Sequence, residues 1–184
     1  MVDGPQISIV RVDSDEDLAE VRRLFIEYAA SLPIDLAFQG FEQELLELPG
    51  QYGPPSGCIL LARYRGNVAG CIAVRRLSDD ICEGKRLYAR PQFRGNDIGK
   101  QLKIAILREA KRLGYRRFRW DSLGFMTAAN ALYMSIGAKR IPPYHDKIIE
   151  GMVCWEIDLT QFKIDQATMS SSKAFYVIGD GPAD

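Results

Sequence analysis

The chain has few of the residues that mark metal enzymes, secreted proteins and membrane proteins. Its 184 residues contain a single histidine, His145, and four widely spaced cysteines that form no CxxC pair. Because zinc sites need several such ligands at short spacing, no metal site is predicted. The cysteines lie in apolar runs, which favours buried thiols in a reducing compartment. No segment approaches the roughly 18 apolar residues of a membrane-spanning helix and the N-terminus lacks a signal-peptide pattern, so we expect a cytoplasmic protein.

An excess of one charge is also lacking. The 24 basic residues are balanced by 24 acidic residues. Nucleic-acid and anionic-membrane partners favour basic patches, so neither kind of partner is expected. The length suits one domain with one sizeable core.

Hydrophobic periodicity predicts strands and helices in an order that is not a regular βα repeat. Strand patterns cover 7–12, 58–64, 70–75, 83–89, 117–121 and 153–159, and helical patterns cover about 15–30, 41–48, 100–113 and 127–136. This order predicts a mixed sheet with helices packed on it. Residues 1–160 are interpreted as one domain and 161–184 as a C-terminal extension. Within the extension, 174–178 could add an edge strand, or the whole extension could be an arm packed on a second protomer in a homodimer.

The most informative segment runs from Leu87 to Lys100, where a strand enters a glycine-containing loop that opens a long helix. The first N–H groups of a helix have no intrahelical partner, and the helix dipole places partial positive charge there. Such a junction is therefore a candidate diphosphate site. Neither GxGxxG nor GxxxxGK(S/T) is present, which argues against the usual dinucleotide and P-loop sites.

Two motifs carry a family resemblance. The loop matches R/Q-x-x-G-x-G/A, with Arg94 in the first place and Gly99 in the last, and Ala129–Gly137 matches AxxLYxxxG. On these motifs, between Glu83 and Tyr144, the chain resembles the GCN5-related N-acetyltransferase (GNAT) family. The resemblance implies an α/β (α+β) fold with a central mixed, mostly antiparallel, twisted sheet of six to seven strands and about four flanking helices.

The resemblance also implies roles for individual residues. The main chain of Leu87 and Ala89 would pair with the pantetheine arm of acetyl-coenzyme A. Tyr133 would donate a proton to the departing thiolate, because a phenol is neutral at pH 7. The diphosphate would lie against the loop and the first helical turn, which comprise Arg94, Gly95, Asn96, Asp97, Ile98, Gly99 and Lys100.

Glu83 is the candidate base for the acceptor amine. It stands four residues before Leu87 on one strand, which predicts a shared face, and relatives often carry a glutamate there. The alternative is a solvated carboxylate paired with Lys85 or Arg86. The alternative for Tyr133 is a helix tyrosine that is packed in the core and has no catalytic role. Asn130 is interpreted as a helix-surface residue rather than a coenzyme contact.

Three positions depart from the family pattern. Asp97 replaces the mid-loop glycine, Met126 replaces an asparagine before the helix, and Ala138 replaces a phenylalanine after it. Aspartate tolerates positive φ, so the turn can survive, but its carboxylate should weaken diphosphate binding.

These observations predict transfer of an acetyl group from acetyl-coenzyme A to a primary amine of a small molecule, an amino acid or a protein, by direct attack in a ternary complex. The alternative is a non-catalytic acyl-coenzyme A sensor or interaction module with a degraded loop. The resemblance places the acceptor groove in 32–41 and 141–144. Phe38, Phe41 and Tyr144 either line an apolar pocket for the acceptor or simply pack within the protein. Asp35 or Glu42 either attracts the ammonium group of the acceptor or is a solvated carboxylate.

Overall fold

The predicted strands join into one sheet in the computed structural model, which describes residues 6–146, 148–162 and 174–177. Across these residues the strands are β1 (Ile7–Arg11), β2 (Cys58–Tyr64), β3 (Asn67–Arg76), β4 (Ile81–Ala89), β5 (Arg117–Leu123), β6 (Lys139–Ile141), β7 (Met152–Asp158) and β8 (Ala174–Val177). Their order is β6-β7-β5-β4-β3-β2-β1-β8. Neighbours are antiparallel except for β4 with β5 and β1 with β8, which are parallel. The mixed, mostly antiparallel sheet is therefore confirmed.

The sheet of the described residues has eight strands rather than six to seven. The strand without a sequence signal is β6, which is three residues long and pairs with β7. Three residues are too few to show the two-residue alternation of a strand. β8 pairs with β1, so that Ala174 lies opposite Ile7. The rest of the C-terminal extension after Phe162 lies outside the described residues.

Four α-helices occur in the described residues: α1 (Asp15–Ser31), α2 (Phe41–Glu47), α3 (Ile98–Arg112) and α4 (Thr127–Ser135). α1 begins where the Ser14 hydroxyl accepts the Asp17 N–H at 3.2 Å. The acidic residues of its first turn suit the helix dipole. α3 ends before Gly114, whose φ of 94° is the left-handed conformation that commonly stops a helix.

The helices cover both faces of the sheet. α3 packs Leu102 and Ile106 against one face, and α1 packs Leu24 and Phe25 against the other. All four side chains are fully buried. Because burial of each large apolar side chain contributes about 1.5–3 kcal/mol, both layers hold the sheet in place.

The four cysteines are buried thiols, as the apolar runs predicted. Burial raises the pKa of the Cys58 thiol to about 12, which keeps it protonated and unreactive. Of the helices in the described part of the chain, none combines the length and hydrophobicity that a bilayer crossing requires.

Candidate active site

The site begins at an irregularity in β4. Cys71 of β3 pairs with Tyr88 of β4, and Ala73 pairs with Lys85. The two pairs are therefore two residues apart on β3 but three residues apart on β4. The extra residue makes a β-bulge, and Arg86 within it has a φ of 60°. The bulge shifts the alternation of every side chain that follows it on β4.

The bulge places Glu83 and Leu87 on opposite faces of the sheet. Leu87 packs against the core under α3, whereas Glu83 points to the α1 face and pairs with Arg75. The expectation that Glu83 and Leu87 share a face is therefore wrong. The expectation assumes that side chains alternate regularly along β4, and the bulge between Lys85 and Tyr88 interrupts that alternation.

β4 also separates from its neighbour β5 after a short stretch. Within the described residues the two strands pair from Ile81 with Arg117 to Glu83 with Arg119. Beyond this point the strands diverge, and the edge of β4 as far as Ala89 faces a gap rather than another strand of the described sheet. Unpaired backbone groups at such an edge are available to a ligand.

A cavity of about 560 Å³ occupies this gap. Four residues predicted for the site line it, namely Leu87, Ala89, Arg94 and Tyr133. Its walls come from both faces of the sheet, with Lys103, Trp120 and Tyr133 on the α3 side and Tyr28, Leu36 and Asp121 on the α1 side. A cavity built in this way can receive one ligand from each face, and the two ligands then meet in the gap.

The loop before α3 keeps a glycine-like turn without the glycine. Asp97 has a φ of 59° and directly precedes the helix. Within the described residues its carboxylate makes no capping bond, so the first N–H groups of α3 stay available to an anion. Asn96 braces the loop, because its Nδ2 donates to the Phe93 carbonyl at 3.0 Å.

The other predicted loop residues lie where the anion would approach. Gly95 has a φ of 82°, and a Cβ on either Gly95 or Gly99 would meet no atom within 4 Å, so this side of the loop is open. Lys100 lies in the first turn of α3. Ile98 is buried in the core and can contribute only its main chain.

Tyr133 lies on α4 with its ring between two indoles. Its ring centroid is 5.0 Å from Trp120 and 5.8 Å from Trp155, both in edge-to-face contact. The side chain is 5% exposed and lines the cavity. Burial raises the pKa of Tyr133 above its usual value, so the phenol keeps its proton through neutral pH.

Asn130 holds α4 in register with the end of β5. The Ser122 hydroxyl donates to Asn130 Oδ1 at 2.7 Å, and Asn130 Nδ2 donates to the Leu123 carbonyl at 3.1 Å. Trp155 Nε1 donates to the same Ser122 hydroxyl at 2.9 Å. Asn130 is therefore a buried residue that positions Tyr133, and the expectation of a helix-surface asparagine is wrong.

Glu83 lies in a buried polar cluster on the α1 face. Arg75 Nε donates to it at 2.7 Å and the Tyr144 hydroxyl donates at 3.0 Å. Its side chain is fully buried and does not form part of the cavity wall. The expectation of a solvated carboxylate is wrong, because Glu83 is buried. The expected pairing with Lys85 is present, with Lys85 Nζ 3.8 Å from Glu83, although Arg75 is closer at 2.7 Å and Arg86 pairs with Glu44 instead. The base role of Glu83 stays a prediction.

Asp121 connects this cluster to the cavity. Lys85 Nζ donates to Asp121 at 3.1 Å, and His145 Nε2 lies 3.5 Å from Asp121 and 3.3 Å from Glu83. Burial alone would raise the pKa of Asp121, but His145 and Lys85 outweigh burial and hold that pKa below its usual range. The oxygen and nitrogen atoms of Glu83, Asp121 and His145 that could bind a metal ion lie within 4.8 Å of one another, as such a site would require. Arg75 and Lys85 already balance both carboxylates, so the cluster is better described as an ion-paired network.

Lys103 is a buried amine in the cavity wall that was not predicted from the sequence. It is 2% exposed on the second turn of α3, and its Nζ lies 3.7 Å from the Trp120 ring centroid and 4.8 Å from that of Tyr133. Burial lowers the pKa of Lys103 well below its usual range. Each ring contact offers about 0.5–2 kcal/mol to a cation, whereas taking an ammonium out of water costs several kcal/mol. Burial therefore acts against the charged form of this amine.

The spacing of α3 carried a signal for this burial. Lys103 precedes Ile106 by three residues and Ala110 by seven, which places it on the apolar stripe of the helix. A charged residue at a stripe position is a candidate buried group.

Some of the residues expected to form the acceptor groove line the cavity, and others lie elsewhere. Leu36 lines the cavity, while Asp35 accepts the Ala37 N–H at 2.8 Å as a cap and Phe41 packs on the Arg86 guanidinium. Glu42 is exposed on α2, and the side chain of Phe38 lies outside the described residues.

A sheet opened between two parallel strands beside a helix N-terminus, with a cavity lined from both faces, is a site that can hold an anionic ligand beside a second reactant. The chain belongs to the Acetyltransferase (GNAT) family, whose model matches residues 19–138, and it is an N-acetyltransferase enzyme. An uncharacterised N-acetyltransferase of Schizosaccharomyces pombe is 35% identical over 163 residues, which span 88% of this chain and 100% of the relative.

One further relative and two solved structures are also similar to this chain. The N-acetylaspartate synthetase of Mus musculus is 30% identical over 100 residues, which span 54% of this chain and 33% of that protein. A crystal structure of an acetyltransferase from Streptococcus agalactiae superposes with a TM-score of 0.67 at 22% identity, covering 83% of this chain and 98% of that one. The putative acetyltransferase yncA of Salmonella typhimurium, solved with acetyl-CoA, superposes with a TM-score of 0.63 at 17% identity, covering 85% of this chain and 95% of that one. Both likenesses concern the fold.

Replacing Asn130 by alanine tests its structural role. The change removes the partner of the Ser122 hydroxyl and of the Leu123 carbonyl in a buried setting. We expect the free energy of unfolding to fall by about 1–3 kcal/mol in chemical denaturation. The control is Asn67→Ala in the exposed β2–β3 hairpin, which should change it by less than about 0.5 kcal/mol. Equal losses in the two variants would contradict the assigned role.

Proposed function

We propose that the protein transfers an acetyl group from acetyl-coenzyme A to a primary amine by direct attack in a ternary complex. The observation that carries this proposal is the cavity between β4 and β5, because its two sets of walls belong to opposite faces of the sheet. A coenzyme entering on the α3 side and an amine entering on the α1 side would meet without a covalent carrier. Holding two reactants in this way supplies much of the rate of such a reaction.

The coenzyme side rests on main-chain chemistry. The open edge of β4 at Leu87 and Ala89 offers N–H and C=O groups to the two amides of pantetheine, as an added strand would. The diphosphate would lie at the N-terminus of α3, over Gly95 and Gly99, where nothing obstructs it. Arg94 lines the cavity at the same end and supplies a cation for the phosphates.

The departing thiolate would take its proton from Tyr133. The phenol faces the cavity, and its raised pKa keeps it protonated until a sulfur with developing charge is beside it. Asn130 and the two neighbouring indoles limit the motion of the ring, so the donor is already oriented before the coenzyme binds.

The acceptor amine would arrive beside Asp121. This carboxylate is ionised at neutral pH and lines the cavity, so it attracts an ammonium group. Glu83 and His145 lie directly behind it and offer a route for the proton that the amine must lose. The partial relatives named N-acetylaspartate synthetase favour including amino acids among the acceptors to be tried.

Two measurements test the proposal. Acetyl-coenzyme A should raise the unfolding temperature, because a ligand that binds only the folded state stabilises it. Thiol release should then follow when one member of an amine panel is added, the panel comprising a polyamine, free amino acids including aspartate, and peptides with a free N-terminus or lysine. Stabilisation without release by any acceptor would favour the non-catalytic sensor. Absence of stabilisation would exclude both functions.

The role of Tyr133 predicts a split between turnover and binding. Tyr133→Phe keeps the ring packing and removes the proton donor, so we expect kcat to fall by about 100-fold, at the low end of general-acid contributions. The affinity for acetyl-coenzyme A, measured by calorimetry, should change little. Tyr64→Phe, a matched change outside the cavity, should leave both values near those of the unchanged protein. A Tyr133→Phe enzyme with normal kcat would remove the assigned role.

The carboxylate of Asp97 predicts a gain on its removal. Asp97→Asn keeps a residue that tolerates positive φ and deletes a negative charge beside the proposed diphosphate. We expect acetyl-coenzyme A to bind about fivefold more tightly, since two charges about 4 Å apart in water interact by ~1 kcal/mol. The gain should shrink at high salt. Asp13→Asn, an equal change of net charge at an exposed site outside the loop, is the control. An unchanged dissociation constant for Asp97→Asn would show that the carboxylate does not face the diphosphate.

A further inference from the structure

Lys103 has no role in the transfer described above, yet its amine belongs to the same cavity. Its Nζ lies among the rings of Trp120, Tyr133 and Phe118, at 3.7, 4.8 and 5.1 Å from their centroids. No carboxylate of the described residues forms an ion pair with it, although Asp121 acts on it from a distance. The side chain is a cavity wall and is almost wholly removed from bulk water.

A buried amine in this setting has the properties of a nucleophile. Burial favours the form that carries a lone pair, as set out above. Lys103 and Tyr133 both line the cavity with Nζ 4.8 Å from the tyrosine ring centroid, and Tyr133 is the group proposed to act on the coenzyme sulfur. The thioester carbon adjacent to that sulfur would therefore lie within reach of Nζ. Proximity of this kind converts a slow bimolecular reaction into an effectively unimolecular one.

We propose that Lys103 is a self-acylation site, modified by the acyl-coenzyme A bound in its own cavity. The inference rests on the proposed function, which supplies the acyl donor. The Nζ lone pair attacks the thioester carbonyl carbon, a C–N bond forms, and the C–S bond breaks with its electron pair on sulfur. The amine proton passes to the thiolate, so the products are Nζ-acyl-lysine and coenzyme A, and no further reactant is needed.

The surroundings suit the product better than an ammonium group. An acyl-lysine is uncharged and carries a flat amide, which can pack against the aromatic walls of Trp120 and Phe118. Forming the amide also removes the cost of keeping an ionisable amine away from water.

The test is peptide mapping by mass spectrometry after incubation of the intact protein with acetyl-coenzyme A and no acceptor. We expect acetylation of Lys103 to approach one group per chain, at a rate that saturates with acetyl-coenzyme A concentration. Lys111 is the internal control, since it lies on the same helix but is exposed and should react more slowly and without saturation. Lys111→Met should leave acetylation of Lys103 unchanged, whereas Lys103→Met should lose the saturable phase.

Each outcome decides the inference. Thermal unfolding of Lys103→Met shows whether that variant folds, and mapping of the unchanged protein is decisive even if it does not. Stabilisation by acetyl-coenzyme A and turnover of an amine, with Lys103 unmodified, would refute self-acylation and leave the proposed function standing. Equal, non-saturating acetylation of Lys103 and Lys111 would mean reaction from solution and would also refute it. Absence of coenzyme binding would remove the proposed function and the inference together.

Discussion

The whole site depends on how Arg86 is held in the bulge of β4. A non-glycine residue with positive φ costs roughly 1–2 kcal/mol of backbone energy, so the turn needs an anchor. Glu44 on α2 provides it, because both its oxygens accept from the buried Arg86 guanidinium, at 2.8 and 2.7 Å. Burial alone would lower the pKa of Arg86, but Glu44 outweighs burial and raises it, so the guanidinium stays charged. The bulged part of β4 is also the part that no longer pairs with β5, and the cavity occupies the resulting gap.

The gap also separates two kinds of electrostatics. On the α1 side each carboxylate has a cation, since Glu83 pairs with Arg75 and Asp121 pairs with Lys85. This network can accept or pass on a proton without leaving a bare charge in the interior. On the α3 side the walls are aromatic, and the buried amine there has no counter-ion among the described residues. In the proposed reaction, the attacking amine and the departing sulfur would therefore meet different environments across a single sheet.

The sequence predicted most of the strands and helices, and the loop that opens α3, because both have local signals. Strand alternation, the Ser14 cap and the loop from Arg94 to Gly99 are each readable within a few residues. The bulge has no such local signal, since the anchor of Arg86, Glu44, lies 42 residues earlier in the sequence. One unpredicted residue in β4 then reversed the faces of Glu83 and Leu87. Asn130 and Lys103 were missed for a related reason, because a polar residue in an amphipathic helix is assigned to solvent unless the second layer over it is known.

Asp97 and Lys103 place opposite charges in opposite environments on the side of the cavity proposed for the coenzyme. Asp97 brings a carboxylate to the helix end where an anion would bind, and Lys103 brings an amine to a depth where a cation is poorly tolerated. Loop water can screen the first charge, so its effect is limited to about 1 kcal/mol at short range. The second charge cannot be screened in the interior, and burial there lowers the pKa of the amine. Exposure thus limits the carboxylate of Asp97 to a modest electrostatic penalty, whereas burial gives the amine of Lys103 the environment on which its proposed reactivity rests.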